Sequence, residues 1–250
     1  MSQHSKACCN IAPKASPEYN NKGEFIEYDG HKTYKTGPTS VKKAILIIYD
    51  IFGFSPQSLQ GADLLAYGNE DEQYQVYMPD FLLGQYADHT WFPPDTAEKG
   101  QAMGAFFQGP ANPVATVQKI PGLVRTITER SSGTIVSWAV VGKCWGGKIV
   151  SFSCGDGSPF KAAAEVHPSM IDPSDAPGIK VPIAILASGD EDANDVKAFV
   201  DALQVPHYSE TFDDQVHGWM AARGDLVNER SKAEYERGYA TLLKFFAEHF

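Results

Sequence analysis

The chain has 250 residues, 43% hydrophobic and 21% charged, which is the composition of an ordinary globular domain and excludes a disordered or fibrous one. Its formal net charge is −10 and its pI about 5.1, a balance that disfavours nucleic acid and anionic membrane as partners because both reward Lys and Arg. No apolar run is long enough to span a bilayer, and four cysteines are too few for a disulfide scaffold.

Residues 1–22 are polar, contain Pro13 and Pro17 and show no periodicity, so an extended N-terminal arm is expected ahead of one domain over 23–250. The arm lacks an apolar h-region, so no secretory leader is expected. Adjacent Cys8 and Cys9 cannot easily bridge each other, and a reducing, cytoplasmic setting fits.

"KAILIIYDIFG" (43–53) begins as a fully buried strand and ends at Asp50 and Gly53. "SLQGADLLAYG" (58–68) has helical spacing, and "YQVYMPDF" (74–81) reads as a strand stopped by Pro79. Residues 84–113 form an aromatic, Pro/Gly-rich excursion with a short helix. A helix over 114–129, interrupted or kinked at Pro121, follows. Further strands are expected at 134–142, 161–167, 181–188 and 206–212, with helices at 193–203 and 229–248.

Strands alternating with helices predict right-handed βαβ units and a mostly parallel sheet covered by helices on both faces. Ligands bind such sheets outside the carboxyl ends of the strands. That rule selects Asp50–Phe52, Asp80–Phe81, Cys144, His167, the acids 190–192 and the segment around His217.

In "AVVGKCWGGKIVSF" (139–152), Cys144 stands between Gly142 and Gly146 where a strand turns into a helix. Such a turn holds its apex residue in a strained conformation, needs small neighbours two residues away, and aims the apex side chain at the cleft. The helix N-terminus beneath it favours thiolate. A core cysteine beside helix-packing glycines would show the same residues. A thiol also needs a base and a group that orients the base. His217, in "VHGWMAARG", follows the last strand, and "SGDED" supplies Asp190, Glu191 and Asp192 after another. Nucleophile, acid, histidine is the chain order of the α/β-hydrolase triad.

With "IIYDIFGF", "MPDF", "GKCWGG", "SGDED" and "VHGWMAARG" in this order, the sequence resembles the dienelactone hydrolase family, a cysteine-using branch of the α/β-hydrolases. The resemblance runs from about Gly23 to Phe250, and "ACCN" followed by "KGEFIEYDGHKTYKTG" is similar to the fungal members. It implies an α/β-hydrolase fold, Cys144 as nucleophile, His217 as base, and an oxyanion hole from the N–H groups of Trp145 and Ile51. The family's acid ends a G-x-x-D turn, which selects Asp192, with Asp190 as the alternative. No metal or organic cofactor is implied.

Two departures bear on the substrate. Bacterial members carry a Glu where this chain has Asp50. The Arg residues of the prototype's carboxylate clamp fall on Gly84 and Ala221, with Arg223 two positions displaced. Losing bidentate guanidinium recognition costs affinity for a free carboxylate. The expected substrate is therefore a larger, less charged small-molecule ester or lactone, met by Asp50, Phe52, Phe81, Tyr86, Trp91, His167 and Trp219. The expected reaction is carboxylic ester hydrolysis through a thioester on Cys144, as in a dienelactone hydrolase or carboxymethylenebutenolidase, by a monomer or homodimer. The alternatives are a cysteine amidase and a redox-sensing or ligand-binding protein using Cys144 as an oxidisable thiol.

Overall fold

The computed structural model describes residue 14 and residues 19–250; the rest of the expected arm, with Cys8 and Cys9, lies outside the described residues. One sheet of eight strands organises the molecule: β1 (Glu24–Tyr28), β2 (His31–Thr36), β3 (Lys43–Ile48), β4 (Gln75–Pro79), β5 (Ser137–Lys143), β6 (Phe160–Val166), β7 (Ile183–Ser188) and β8 (His207–Phe212). The order across it is β1-β2-β4-β3-β5-β6-β7-β8. Strands from β4 to β8 are parallel, while β1 and β2 pair antiparallel with each other and β2 antiparallel with β4.

The β1–β2 hairpin was not among the expected elements. It turns at Asp29 and Gly30, both at positive φ (48° and 75°), the two-residue geometry that suits the twist of a hairpin. Ala44 to Ile48 of β3 are all 0% exposed. Because successive side chains point to opposite faces, both faces of the sheet are covered there.

The helices are α1 (Pro56–Tyr67), α2 (Ala97–Gln108), α3 (Pro113–Val117), α4 (Ile120–Arg130), α5 (Trp145–Ser153), α6 (Ala193–Ala202) and α7 (Glu229–His249). The helix expected over 114–129, interrupted or kinked at Pro121, is interrupted: α3 ends at Val117 and α4 begins at Ile120. Pro121 sits in the first turn of α4, where its missing N–H has no partner to lose, and Lys119 precedes that helix without a side-chain cap. Helix α1 packs beside α7, and α3 beside α5. Buried Asp63 accepts from Tyr34, Thr36, Tyr19 and the Lys22 N–H, tying α1 to β2 and to the residues that lead into β1. Among the described residues no helix is long and apolar enough to cross a membrane.

Candidate active site

The parallel strands bring their carboxyl ends to one edge, and Cys144 stands there between β5 and α5. Its φ is +53° and its ψ −115°, a strained conformation for a residue with a Cβ. The glycine frame has a steric cause. A Cβ on Gly142 would lie 2.2 Å from the Gly146 carbonyl oxygen, and one on Gly146 2.2 Å from that of Ile48. Only glycines let α5 start this close to the ends of β5 and β3.

The segment after β6 clamps the turn. The Cys144 N–H donates to the Val166 carbonyl and the Ser169 N–H donates to the Cys144 carbonyl, each at 3.0 Å. Cys144 is 2% exposed and not in a disulfide. Cys154, at the far end of α5, is also buried, and burial and then the nearby Glu165 push its thiol pKa far up.

Trp145 supplies the first N–H of α5, and its ring donates to the Ala111 carbonyl at 2.8 Å. Ile51, fully buried, follows β3, and its carbonyl accepts from the Ala87 N–H. Beside it the Asp50 carboxylate accepts from the N–H groups of Phe52 (2.9 Å) and Ala222 (3.0 Å). Asp50 therefore joins the loop after β3 to the loop after His217. Burial raises its pKa, against those two hydrogen bonds and the charges of Arg223 and Lys143.

His217 lies after β8 and is wholly buried. Its N–H donates to Asp190 Oδ2 at 2.8 Å, and its Nδ1 is 2.6 Å from Glu191 Oε1. Glu191 also accepts from the Ser188 hydroxyl at 3.0 Å and from the Ser188 N–H. The acid expected at Asp192 is a correction. Asp192 is exposed and caps α6, accepting from the N–H groups of Asn194 (2.8 Å) and Asp195 (3.2 Å). An Asp directly before a helical run is a strong N-cap, so its carboxylate is held by the helix. Glu191 has the extra methylene needed to fold back under the β7 end. Asp190 fixes the backbone of His217 and not its ring.

With Nδ1 on Glu191, Nε2 has no nitrogen or oxygen partner among the described residues and is left to the thiol. Burial alone would lower the His217 pKa. The charge and hydrogen bond of Cys144, then those of Glu191, outweigh burial and raise it from 6.5 to about 9. His167, also wholly buried, sets its ring edge-on to that of His217, with centroids 5.2 Å apart and planes at 71°. Burial, then the charges of His217 and Lys143, hold it well below 6.5 and hence neutral.

The aromatic residues divide. Phe52 lies 5.3 Å from Phe92, and the Arg223 guanidinium is 5.5 Å and 5.8 Å from those two rings. Arg223, two positions past the family's clamp position, is thus brought in at 2% exposure and also donates to the His217 carbonyl. Tyr86 donates to Asp80 and packs under Gly53, and Trp91 packs on Phe106. Phe81 and Trp219 are core: Phe81 packs beside His31, and Trp219 lies on Phe212 at 4.3 Å and over Gly238. Gly84 donates its N–H to Asp80 from an exposed turn at φ +77°.

Residues 31–250 match the dienelactone hydrolase family. An uncharacterized AIM2 family protein of Schizosaccharomyces pombe is 35% identical over 96% of this chain and 98% of its own. A carboxymethylenebutenolidase homolog of Mus musculus is 24% identical over the full length of both chains. Among solved structures, the dienelactone hydrolase of Anabaena variabilis superposes with a TM-score of 0.62 at 13% identity, covering 92% of this chain and 98% of that one, which is a likeness of fold. With its pattern matched from β2 to the C-terminal residue and a relative 35% identical along nearly its whole length, the chain belongs to the dienelactone hydrolase family.

Proposed function

We propose that this hydrolase cleaves a carboxylic ester or lactone through a Cys144–His217–Glu191 triad. The observation that carries the reading is the buried line from a strained, glycine-framed thiol to an imidazole whose far nitrogen is held by a carboxylate. A thiol used only for packing needs neither the base nor the acid.

The Cys144 sulfur, its proton passed to His217 to give a thiolate–imidazolium pair, attacks the carbonyl carbon, and the N–H groups of Trp145 and Ile51 hold the oxyanion. The His217 imidazolium then gives its proton to the leaving oxygen. Neutral again, it takes a proton from water as that water attacks the thioester. Glu191 keeps the ring in the tautomer and orientation that both steps need. Because Arg223 is engaged by two aromatic faces, by the His217 carbonyl and by the field of Asp50, it is poorly placed to clamp a free carboxylate, which favours neutral esters or lactones.

The test is a panel of esters, lactones and matched amides, with intact-protein mass spectrometry. Ester turnover with an acyl adduct on Cys144 supports the reading. Preferential amide turnover, or oxidation of Cys144 with no hydrolysis of any member, overturns it.

A further inference from the structure

Both ring nitrogens of His167 are buried and have no hydrogen-bond partner among the described residues. An unpaired buried polar atom costs stability, and an apolar ring or aliphatic side chain would pack against His217 without that cost. The backbone adds a second cost, because His167 sits at φ +38°, in the left-handed region that a residue with a Cβ rarely adopts. Yet its surroundings hold it firmly. The His167 N–H donates to the Leu186 carbonyl at 2.7 Å, and its neighbours Val166 and Ser169 grip the backbone of Cys144 from both sides. A strained, fully buried imidazole is thus placed against the general base by the segment that fixes the nucleophile.

We propose that His167 touches the reacting water of deacylation, accepting one of its hydrogens while His217 Nε2 takes the other. The proposal rests on the thioester mechanism above. In this step the water oxygen bonds to the thioester carbon and one proton passes to His217. The carbon–sulfur bond then breaks and Cys144 leaves with the electron pair. The product is a carboxylic acid that keeps the hydrogen steered by His167, and the Cys144–His217 pair is back in its resting charge state. A neutral imidazole has the lone pair this contact needs. A protonated one would offer only donors and would repel the His217 imidazolium.

Acylation uses the sulfur and His217 but no water, so the two half-reactions separate this role from a structural one. Rapid mixing with a p-nitrophenyl ester reads acylation as the nitrophenolate burst and deacylation as the steady rate, with mass spectrometry following the adduct on Cys144. In His167→Leu the burst rate should stay near that of the parent. The steady rate should fall about three- to tenfold or more, the size of one lost hydrogen bond, and the acylated fraction should rise. His167→Asn tolerates a positive φ and retains a short acceptor, so it should fold and show the same selective slowing to a smaller extent. It decides the matter if the Leu variant does not fold. Equal loss of burst and steady rate, or no change in either, overturns the proposal. An absence of any adduct in the parent, with Cys144→Ala still active, would remove the thioester mechanism itself and the proposal with it.

Discussion

Glu191, and not either neighbouring aspartate, carries the carboxylate that meets the His217 ring: Oε1 and Nδ1 are 2.6 Å apart, with both side chains at or below 2% exposure. Three consecutive acids thus have three separate duties, since Asp190 holds the His217 backbone and Asp192 caps α6. Glu191→Gln should cut kcat by about 10²–10⁴ with little change in KM, as expected when the imidazole loses the carboxylate that sets its tautomer. Asp192→Asn should be kinetically near silent, since Asn caps a helix about as well. Steady-state kinetics on the pair decides the matter, and a crippled Asp192→Asn with a normal Glu191→Gln would refute the assignment.

Cys144→Ala should abolish ester turnover, by about a thousandfold or more, while the unfolding transition changes little. Cys144→Ser should recover little, because the site around His217 is built to share a proton with a thiol and gives a hydroxyl too little activation. Cys154→Ala should leave the rate unchanged. Turnover numbers and thermal melts of the three variants test this together, and full activity in Cys144→Ala contradicts it.

The turn that holds Cys144 should tolerate no side chain at its glycine frame. Gly142→Ala or Gly146→Ala drives a Cβ to 2.2 Å from a backbone oxygen and should cost about 3 kcal/mol or more, at the severe end of single substitutions. Gly122, in α4, has nothing within 4 Å of where its Cβ would lie, so Gly122→Ala should stabilise by about 0.5–1 kcal/mol. Urea denaturation of the three variants checks both signs.

Beneath α5, Glu165 predicts a pH dependence of stability. Burial raises its pKa from 4.5 to about 8, opposed by the hydrogen bond from Ser151 at 2.6 Å and the charge of Lys148, and reinforced by Asp175. The folded state binds this proton more tightly than the unfolded chain. The contribution is therefore complete below pH 4.5 and is lost as pH rises towards 8. Glu165→Gln keeps the acceptor for Ser151 but cannot ionise. Its urea midpoint relative to the parent should move in favour of the variant between pH 5 and pH 8, and a constant difference would show that Glu165 does not carry the effect.

Much of this protein was legible along the chain because the signals are local. Near-continuous apolar runs mark strands buried on both faces, and those at 43, 137 and 183 stand where they are expected. The glycine pair at 142 and 146 marks a close approach of backbones, which the 2.2 Å clearances explain. One further local signal was readable and passed over, Asp29-Gly30 between alternating residues, the mark of the β1–β2 hairpin; another, Asp192 directly before a helical run, marks an N-cap but was outweighed by the family's G-x-x-D turn. What the tertiary structure alone decided is who meets whom across the sheet edge. Cys144, His167, Glu191 and His217 come from four different strand ends, and the strand order brings together groups up to 73 residues apart in the chain, from 144 to 217. Whether a carboxylate at 190, 191 or 192 reaches the imidazole depends on one residue of turn and one methylene of length. The same packing sent Trp219 into the core and drew Arg223 against the rings of Phe52 and Phe92. Residue spacing records the period of each element, but the direction of a side chain leaving a turn is set by the neighbours that close around it.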